Sequence, residues 1–366
     1  MAEEETIVIT KRDLRDPKVE DMLMAHQAAR RQLTPAERAP VETAFWLNPV
    51  FYTAAAGLAG AFLAWALFEP FITSPGSSEE RGSGILMMLV AVPAMIGLFV
   101  GLIEGIMSRN FLKAMRCGGI GVGIGLVWGI VGTMIGGFAM NLVKAFGLPF
   151  FLRNMPSEQP NPADPLAFLT PGILFVLISA RAMAWTIVGA GMGVGPGIAL
   201  KSKKLLLNGM VGGLLGGFLG GLLFDPIGFS LTKLGFADSG GTSRMIGFCI
   251  IGLMVGVFTG LVENLTKDAW LIMKTGPLRG KQFVIYHNPT IIGSSPKCDV
   301  YIFKDPAVEP HHAEIKQVGS KFEVIDKNSP QGVFVNSQRV ARKVLEKGDV
   351  IIIGESLLEF QQKERS

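Results

Sequence analysis

Six long apolar segments lie between Val50 and Leu265, and they constrain this chain more than any other feature of its sequence. A helix needs about 20 apolar residues to cross the hydrocarbon core of a bilayer, and each segment is close to that length or longer. The sequence therefore predicts a polytopic α-helical membrane bundle. The predicted spans are Val50–Ile72, Gly84–Met107, Gly119–Met140, Ala182–Leu200, Leu205–Leu223 and Met245–Leu265.

The fourth span is the least regular, because apolar sequence begins at Phe168 and Arg181 interrupts it. A charge at the bilayer centre is costly, so we place Arg181 at the outer interface and start the span after it. The piece from Phe168 to Ser179 is then an interfacial or re-entrant helix, since it is too short for a seventh crossing.

Lysine and arginine residues set the predicted orientation. They concentrate in the loops after the second, fourth and sixth spans, and such loops face the cytoplasm. The other loops, around Glu79, Glu158 and Asp238, are longer and carry sparser positive charge. Both termini are therefore predicted to be cytoplasmic. The predicted regions are an N-terminal helix or tether at 1–45, a six-span membrane domain at 46–275 and a C-terminal domain at 276–366.

A repeat divides the membrane region into three tandem two-helix hairpins. Spans one and five share the spacing from a glycine to an acidic residue and a proline, and spans two and six end alike. The matching residues are Gly57 and Gly213, Glu69-Pro70 and Asp225-Pro226, Gly101 and Gly260, Glu104 and Glu263, and Phe111-Leu112 and Trp270-Leu271.

Glycines recur every four residues along most of the spans. Residues four apart share one helix face, and a bare glycine face lets two backbones approach closely. We expect a tightly packed, glycine-rich bundle, while a pore or a homo-oligomer is the alternative. The glycines predicted to mediate helix packing are Gly213, Gly217, Gly221, Gly252 and Gly256.

Four carboxylates recur between the repeats: Glu69, Glu104, Asp225 and Glu263. Each lies within about two turns of a helix end, where the cost of a charge is much lower than at mid-membrane. Helix-end placement is the favoured interpretation. The alternative is that the four residues line a polar path.

Short β-rich runs separated by turn residues extend from Gly280 to Phe360, a pattern typical of an antiparallel sandwich. Within them lie Ile291-Ile292-Gly293, Cys298-Asp299-Val300-Tyr301-Ile302, Val308, His312-Ala313-Glu314-Ile315, Asp326, Ser329, Gly332, Phe334-Val335-Asn336 and Leu345 with Gly348-Asp349. This order of motifs resembles the forkhead-associated (FHA) family over the whole module.

The resemblance implies a sandwich that binds a protein partner through its loops. FHA domains typically hold a phosphothreonine with an arginine, a serine and an asparagine, and the matching positions here are Ser294, Glu309 and Gln331. Serine cannot replace the paired charged hydrogen bonds of arginine, and Glu309 would repel phosphate. We expect binding without phosphothreonine; a redirected phosphopeptide pocket is the alternative. The predicted peptide-binding residues are Ser294, Ser295, Glu309, His312, which matches the family's structural histidine, Gln331, Gly332 and Asn336.

No catalytic, metal or cofactor site is predicted. Cys117, Cys249 and Cys298 form no CxxC pair, and His311 and His312 have no partnering cysteine cluster or carboxylate in the sequence. An enzyme is therefore not expected.

Two functional hypotheses remain. The first is a membrane-anchored adaptor or signalling scaffold that presents the FHA-like module to a cytoplasmic protein partner. The second is a channel or transporter subunit that is regulated or assembled through that module. Both require the lipid bilayer, and neither involves nucleic acid.

Overall fold

The computed structural model describes residues 43–73, 78–153, 170–233 and 240–363, together with positions 34, 39 and 41. The predicted N-terminal tether and the loops around Glu158 and Asp238 lie almost wholly outside these residues. The chain divides into two compact units, one formed by Thr43–Asp268 and the other containing the described residues from Ala269 onwards.

Seven α-helices form the described part of the first unit. Six of them, all but the short α5, are long and apolar enough to cross a membrane, which confirms the predicted number of spans. The helices are α1 Pro49–Thr73, α2 Ser78–Met107, α3 Phe111–Leu152, α4 Pro171–Gly189, α5 Gly195–Ala199, α6 Lys203–Lys233 and α7 Gly240–Thr266.

The predicted limits of the fourth span, Ala182–Leu200, are wrong. Helix α4 begins at Pro171, after an N-cap at Thr170, and continues through Arg181 to Gly189. The guanidinium of Arg181 pairs with Asp225 of α6 (Nη1–Oδ1, 3.1 Å) and lies 4.6 Å from the centre of the Phe224 ring. Because its charge has a partner on a neighbouring helix, Arg181 can lie within a long apolar helix at a low energetic cost.

Helix α3 is longer than predicted, since the span Gly119–Met140 covers only its middle. It has 42 residues and is about 63 Å long, about twice the thickness of a hydrocarbon core. Its N-cap is Asn110, whose side chain accepts a hydrogen bond from the backbone N–H of Lys113 (2.9 Å). Lys113, Arg116 and Lys144, which lie outside the predicted spans, are therefore part of the helix.

The six long helices form a closed ring. Each packs against the next along the chain, and α7 packs against α1. Three of these contacts, α2 with α3, α4 with α6 and α7 with α1, bring two glycine backbones together so closely that an added Cβ would collide with the facing carbonyl oxygen. The facing pairs are Gly97 and Gly121, Gly189 and Gly213, and Gly252 and Gly57.

These contacts also fix how the repeats correspond. Gly101 faces Cys117 four residues after Gly97, and Gly256 faces Thr53 four residues after Gly252. Gly101 therefore corresponds to Gly256. The predicted match of Gly101 with Gly260 is wrong by four residues, about one helical turn.

A cluster of buried apolar side chains joins five of the six long helices. It contains residues of α1, α2, α4, α6 and α7, and α2 contributes the most. Ile96 and Ile251, together with Met192 just after α4, have no solvent exposure at all. Apolar side chains from different helices of the described bundle are therefore packed together out of contact with solvent.

The second unit is a β-sandwich, as predicted. One sheet has the order β2-β1-β11-β10-β7-β8 and the other β4-β3-β5-β6-β9. The strands are β1 Ala269–Met273, β2 Gln282–Val284, β3 Thr290–Gly293, β4 Val300–Tyr301, β5 Ala313–Val318, β6 Lys321–Asp326, β7 Val333–Val335, β8 Gln338–Val340, β9 Arg342–Leu345, β10 Val350–Ile353 and β11 Ser356–Gln362.

Strand β1 was not among the predicted strands. It lies between β11 and β2 in its sheet, and Leu271 at its centre is completely buried in the core. The repeat of the helical unit therefore does not extend to Trp270-Leu271, which belong to this strand.

Candidate peptide-recognition site

Three loops of the sandwich meet at one edge, and backbone hydrogen bonds join the first two. The loop after β3 starts at Ser294, whose N–H donates to the carbonyl of Glu309 in the loop before β5 (2.9 Å). The N–H of Ser295 donates to the carbonyl of Pro310 (3.3 Å). The backbones of these two loops are thus held side by side.

His312 joins the second loop to the third. Its ring is completely buried, and its Nδ1 accepts a hydrogen bond from the N–H of Glu309 (3.1 Å). Because Nδ1 accepts, Nε2 carries the proton and donates to the carbonyl of Gly332 (3.2 Å). His312 thus has a structural position, as the resemblance implied, and fixes both loops with a neutral ring.

Gly332 has a backbone conformation that residues with a side chain rarely adopt. Its φ is +70°, and an added Cβ would lie 2.5 Å from Nε of Arg339 on β8. The guanidinium of Arg339 therefore packs directly against the third loop, next to Gln331. The sequence shows a basic residue here but not this contact, which depends on the pairing of Phe334 with Arg339 across β7 and β8.

At the three positions that depart from the phosphate-binding pattern, the side chains are available to a ligand. Glu309 and Gln331 are exposed, and Ser294 is half-buried. Within the described residues, no hydrogen bond or ion pair engages these three side chains. The Oγ of Ser295 accepts a hydrogen bond from the N–H of Lys297 (3.3 Å). The loop cluster therefore presents a hydroxyl, a carboxylate and an amide.

Asn336 is engaged elsewhere. Its Nδ2 donates to Asp349 Oδ1 (2.6 Å), and its Oδ1 accepts from the N–H of Val350 (2.9 Å). Both ends of this amide are used to hold the turn after β7 against β10, so the side chain is committed to the fold.

Two further acidic residues, not predicted as site residues, hold the loops in place. Asp305 accepts from the N–H of Glu355 (2.8 Å) and from Oγ of Ser356 (2.9 Å). Asp299 accepts from the N–H of Ile291 (2.8 Å). No pattern of spacing in the sequence distinguishes such carboxylates from solvated ones, because the bonds depend on how the loops fold back on the strands.

Cys298 is buried in the same region. Its thiol donates to the carbonyl of Pro310 (3.1 Å), and burial raises the pKa of the thiol above its usual value. Both features keep Cys298 in its protonated, unreactive form at neutral pH.

The family model of the FHA domain matches residues 290–354. An oxoglutarate dehydrogenase inhibitor of Corynebacterium jeikeium is 36% identical over 100 residues, covering 27% of this chain and 69% of the relative. The chain belongs to the FHA family through its C-terminal domain. The glycogen accumulation regulator GarA of Mycolicibacterium smegmatis is 33% identical over 105 residues, covering 29% of this chain and 66% of GarA. A solved structure from a study of phosphothreonine-dependent FHA domain interactions is 26% identical and covers 27% of this chain and all of that chain, with a TM-score of 0.25.

Outside the FHA domain, the predicted polar-path residues lie at contacts between helices. Glu69 of α1 receives two hydrogen bonds from the guanidinium of Arg244 on α7. Glu104 of α2 accepts from the hydroxyl of Tyr52 (2.8 Å) and from Nζ of Lys113 (3.4 Å).

The other two carboxylates are also close to basic groups. Asp225 pairs with Arg181, as described above. Glu263 is half-buried near Lys267; burial lowers the pKa of Lys267, and the charge of Glu263 opposes that shift.

Two of these ion pairs occupy corresponding places. Glu69 and Asp225 each follow the facing glycine of their helix by twelve residues, and Arg244 and Arg181 each precede theirs by eight. The same count at the contact of α2 with α3 gives Leu89 and Thr133. The hydroxyl of Thr133 is buried and has no hydrogen-bond partner among the described residues.

The predicted packing glycines lie at the same contacts. An added Cβ at Gly213 would meet Gly189, one at Gly217 the carbonyl of Trp185, and one at Gly221 the Cα of Ala182. On α7, Gly252 faces Gly57 and Gly256 faces Thr53. No group of three or more potential metal ligands occurs within the part of the chain that the structure describes.

Proposed function

We propose that this chain is a membrane-anchored adaptor whose FHA domain binds a cytoplasmic protein without requiring phosphothreonine. The observation that carries this proposal is the content of the loop cluster. Its backbone scaffold is intact around His312, but Ser294, Glu309 and Gln331 replace the residues that would hold a phosphate.

The chemistry of these three side chains disfavours a phosphate group. Arginine binds phosphate through two parallel charged hydrogen bonds, and the hydroxyl of Ser294 supplies no charge. The carbonyl of Glu309 accepts a hydrogen bond from the N–H of Ser294. The side chain of Glu309 is therefore attached beside Ser294, the position where the family has its arginine. A phosphate with a charge of about −2 would be repelled there.

Two features of the helical unit favour an anchor over a conducting subunit. Apolar side chains from five of the six long helices pack into one buried cluster. The carboxylates Glu69, Glu104 and Asp225 are neutralised by neighbouring basic side chains at helix contacts. A conducting path needs hydrated polar groups along its length, whereas the described residues of this cluster are apolar.

The proposed orientation places the FHA domain in the cytoplasm. Arg109 and Lys201 lie in the short connections before α3 and α6, next to further basic residues in the first turns of these helices. Positive charge close to span ends is retained on the cytoplasmic side. Two of the relatives are named as an enzyme inhibitor and as a metabolic regulator. By analogy, we expect the partner to be a protein whose activity changes when the FHA domain binds it.

Peptide titration of the full chain in lipid nanodiscs tests the proposal. The full chain is needed because a fragment starting at Gly276 would lack β1, which lies in the interior of a sheet. Fluorescence anisotropy would compare phosphothreonine peptide libraries with their threonine counterparts. We expect no preference for phosphate in the native chain.

The triple variant Ser294→Arg, Glu309→Ser and Gln331→Asn is the matched control. It supplies a bidentate donor, removes the repelling carboxylate and restores the amide, so it should gain phosphate-dependent binding. Phosphate-dependent binding by the native chain would overturn the proposal and make this protein a membrane-bound phosphoprotein receptor.

A further inference from the structure

We propose that the FHA domain selects a peptide that presents a lysine or arginine side chain to Glu309. This inference rests on the proposed function, because it replaces the phosphate by a group of opposite charge at the same loop cluster.

The backbone of Glu309 is fixed on both sides. Its N–H donates to Nδ1 of the buried His312, and its carbonyl accepts from the N–H of Ser294. The carboxylate extends from this fixed position into solvent and is engaged by no partner within the described residues. The loop that carries this carboxylate needs no further backbone ordering on binding, and the exposed side chain is accessible to a cationic group of a peptide.

The neighbouring side chains suit the same ligand. Ser294 and Gln331 are uncharged and offer oxygen acceptors, and an ammonium or guanidinium group supplies three or five N–H donors. A cationic group paired with Glu309 therefore has neutral oxygen acceptors on the adjoining loops for its remaining N–H donors.

Basic groups flank this position without pairing with it. His311 and Lys297 are exposed on the adjoining loops, and Arg339 packs against Gly332. None of the three is bonded to Glu309. They disfavour a peptide with several adjacent positive charges, so the ligand class is a peptide with a single central cation.

The test is a fluorescence anisotropy titration of the full chain in phosphatidylcholine nanodiscs, which carry no net charge that would attract basic peptides. The probes are three oriented libraries with the same degenerate flanks and a central arginine, alanine or phosphothreonine. We expect the arginine library to bind up to about fivefold more tightly than the alanine library, as exposed ion pairs allow.

The variant Glu309→Gln keeps the size of the side chain and should abolish this preference. The control Glu346→Gln removes an exposed carboxylate in the turn before β10 and should leave the preference unchanged. Equal binding of the arginine and alanine libraries, or a preference that survives Glu309→Gln, would overturn the inference. Tighter binding of the phosphothreonine library would instead overturn the proposed function itself.

Discussion

The helical unit leaves many large apolar side chains exposed, whereas the FHA domain buries most of its own. In the FHA domain, Leu271, Ile351 and Phe360 have no solvent exposure and form the core. In the helical unit, Phe146 and Phe150 of α3 are 78% and 68% exposed, while glycines occupy the contacts between helices.

This difference is the one expected of two units that fold in different solvents. Water drives large apolar side chains into a core. Hydrocarbon solvates them as well as a protein interior does, so helix association must come from close backbone packing. Helix α3 shows this most clearly. Only 22% of its most apolar stretch is buried inside the unit, the smallest share among the six long helices.

The largest expected difference between the units concerns phenylalanine truncation. Phe360→Ala removes a fully buried ring and should cost the FHA domain about 3–5 kcal/mol. Phe146→Ala should change the stability of the helical unit by less than about 0.5 kcal/mol, because its ring has no core to leave. Hydrogen exchange in β11 and in α3 of the detergent-solubilised full chain measures both. A cost at Phe146 similar to that at Phe360 would show that this face is a packed interface.

The second comparison adds a side chain at a glycine contact instead of removing one. Gly217→Leu inserts a side chain where the carbonyl of Trp185 already lies and should cost about 1–3 kcal/mol or more. Gly123→Leu is the control, because nothing lies within 4 Å of an added Cβ there. Melting temperatures in detergent should fall for the first variant only. An unchanged value for Gly217→Leu would mean that this glycine face meets lipid.

The third comparison concerns an ion pair at the contact of α7 with α1. The side chain of Glu69 is only 10% exposed, so Arg244→Gln leaves a largely buried charge without its main partner, at a cost of about 1–3 kcal/mol. Adding Glu69→Gln should recover most of that loss, and a double-mutant cycle measures the coupling. A coupling energy of zero, with the two single changes adding up to the double change, would show that the pair contributes nothing.

The smallest effect is expected at the contact of α2 with α3, where Leu89 and Thr133 stand in the places that the arginine and the carboxylate have at the other two contacts. Thr133→Val removes a buried hydroxyl with no hydrogen-bond partner among the described residues and should stabilise the unit by about 1 kcal/mol. The measurement is again the melting temperature in detergent. A lower melting temperature for the valine variant would reveal a partner for this hydroxyl.

The sequence predicted the number of spans and the sandwich because hydropathy and strand spacing are local signals. It misplaced the fourth span because the charge of Arg181 is balanced by Asp225, a residue far away in the chain. It missed β1 because Ala269–Met273 is an apolar run directly after a span, which periodicity alone does not distinguish from helix.

The candidate site shows the same division. Its positions could be predicted, because Ser294, Glu309 and Gln331 lie at fixed places within a recognisable order of motifs. The bonds of His312 to both loops and the contact of Arg339 with Gly332 could not, because each joins residues from separate strands or loops.

A membrane anchor with a cytoplasmic FHA domain is tested most directly by cysteine accessibility in intact cells. With the three native cysteines replaced by alanine, single cysteines would be placed at Lys347, which is exposed in the FHA domain, and at Glu79. A membrane-impermeant maleimide should label Glu79→Cys in intact cells and Lys347→Cys only after permeabilisation. Labelling of Lys347→Cys in intact cells would contradict the cytoplasmic adaptor.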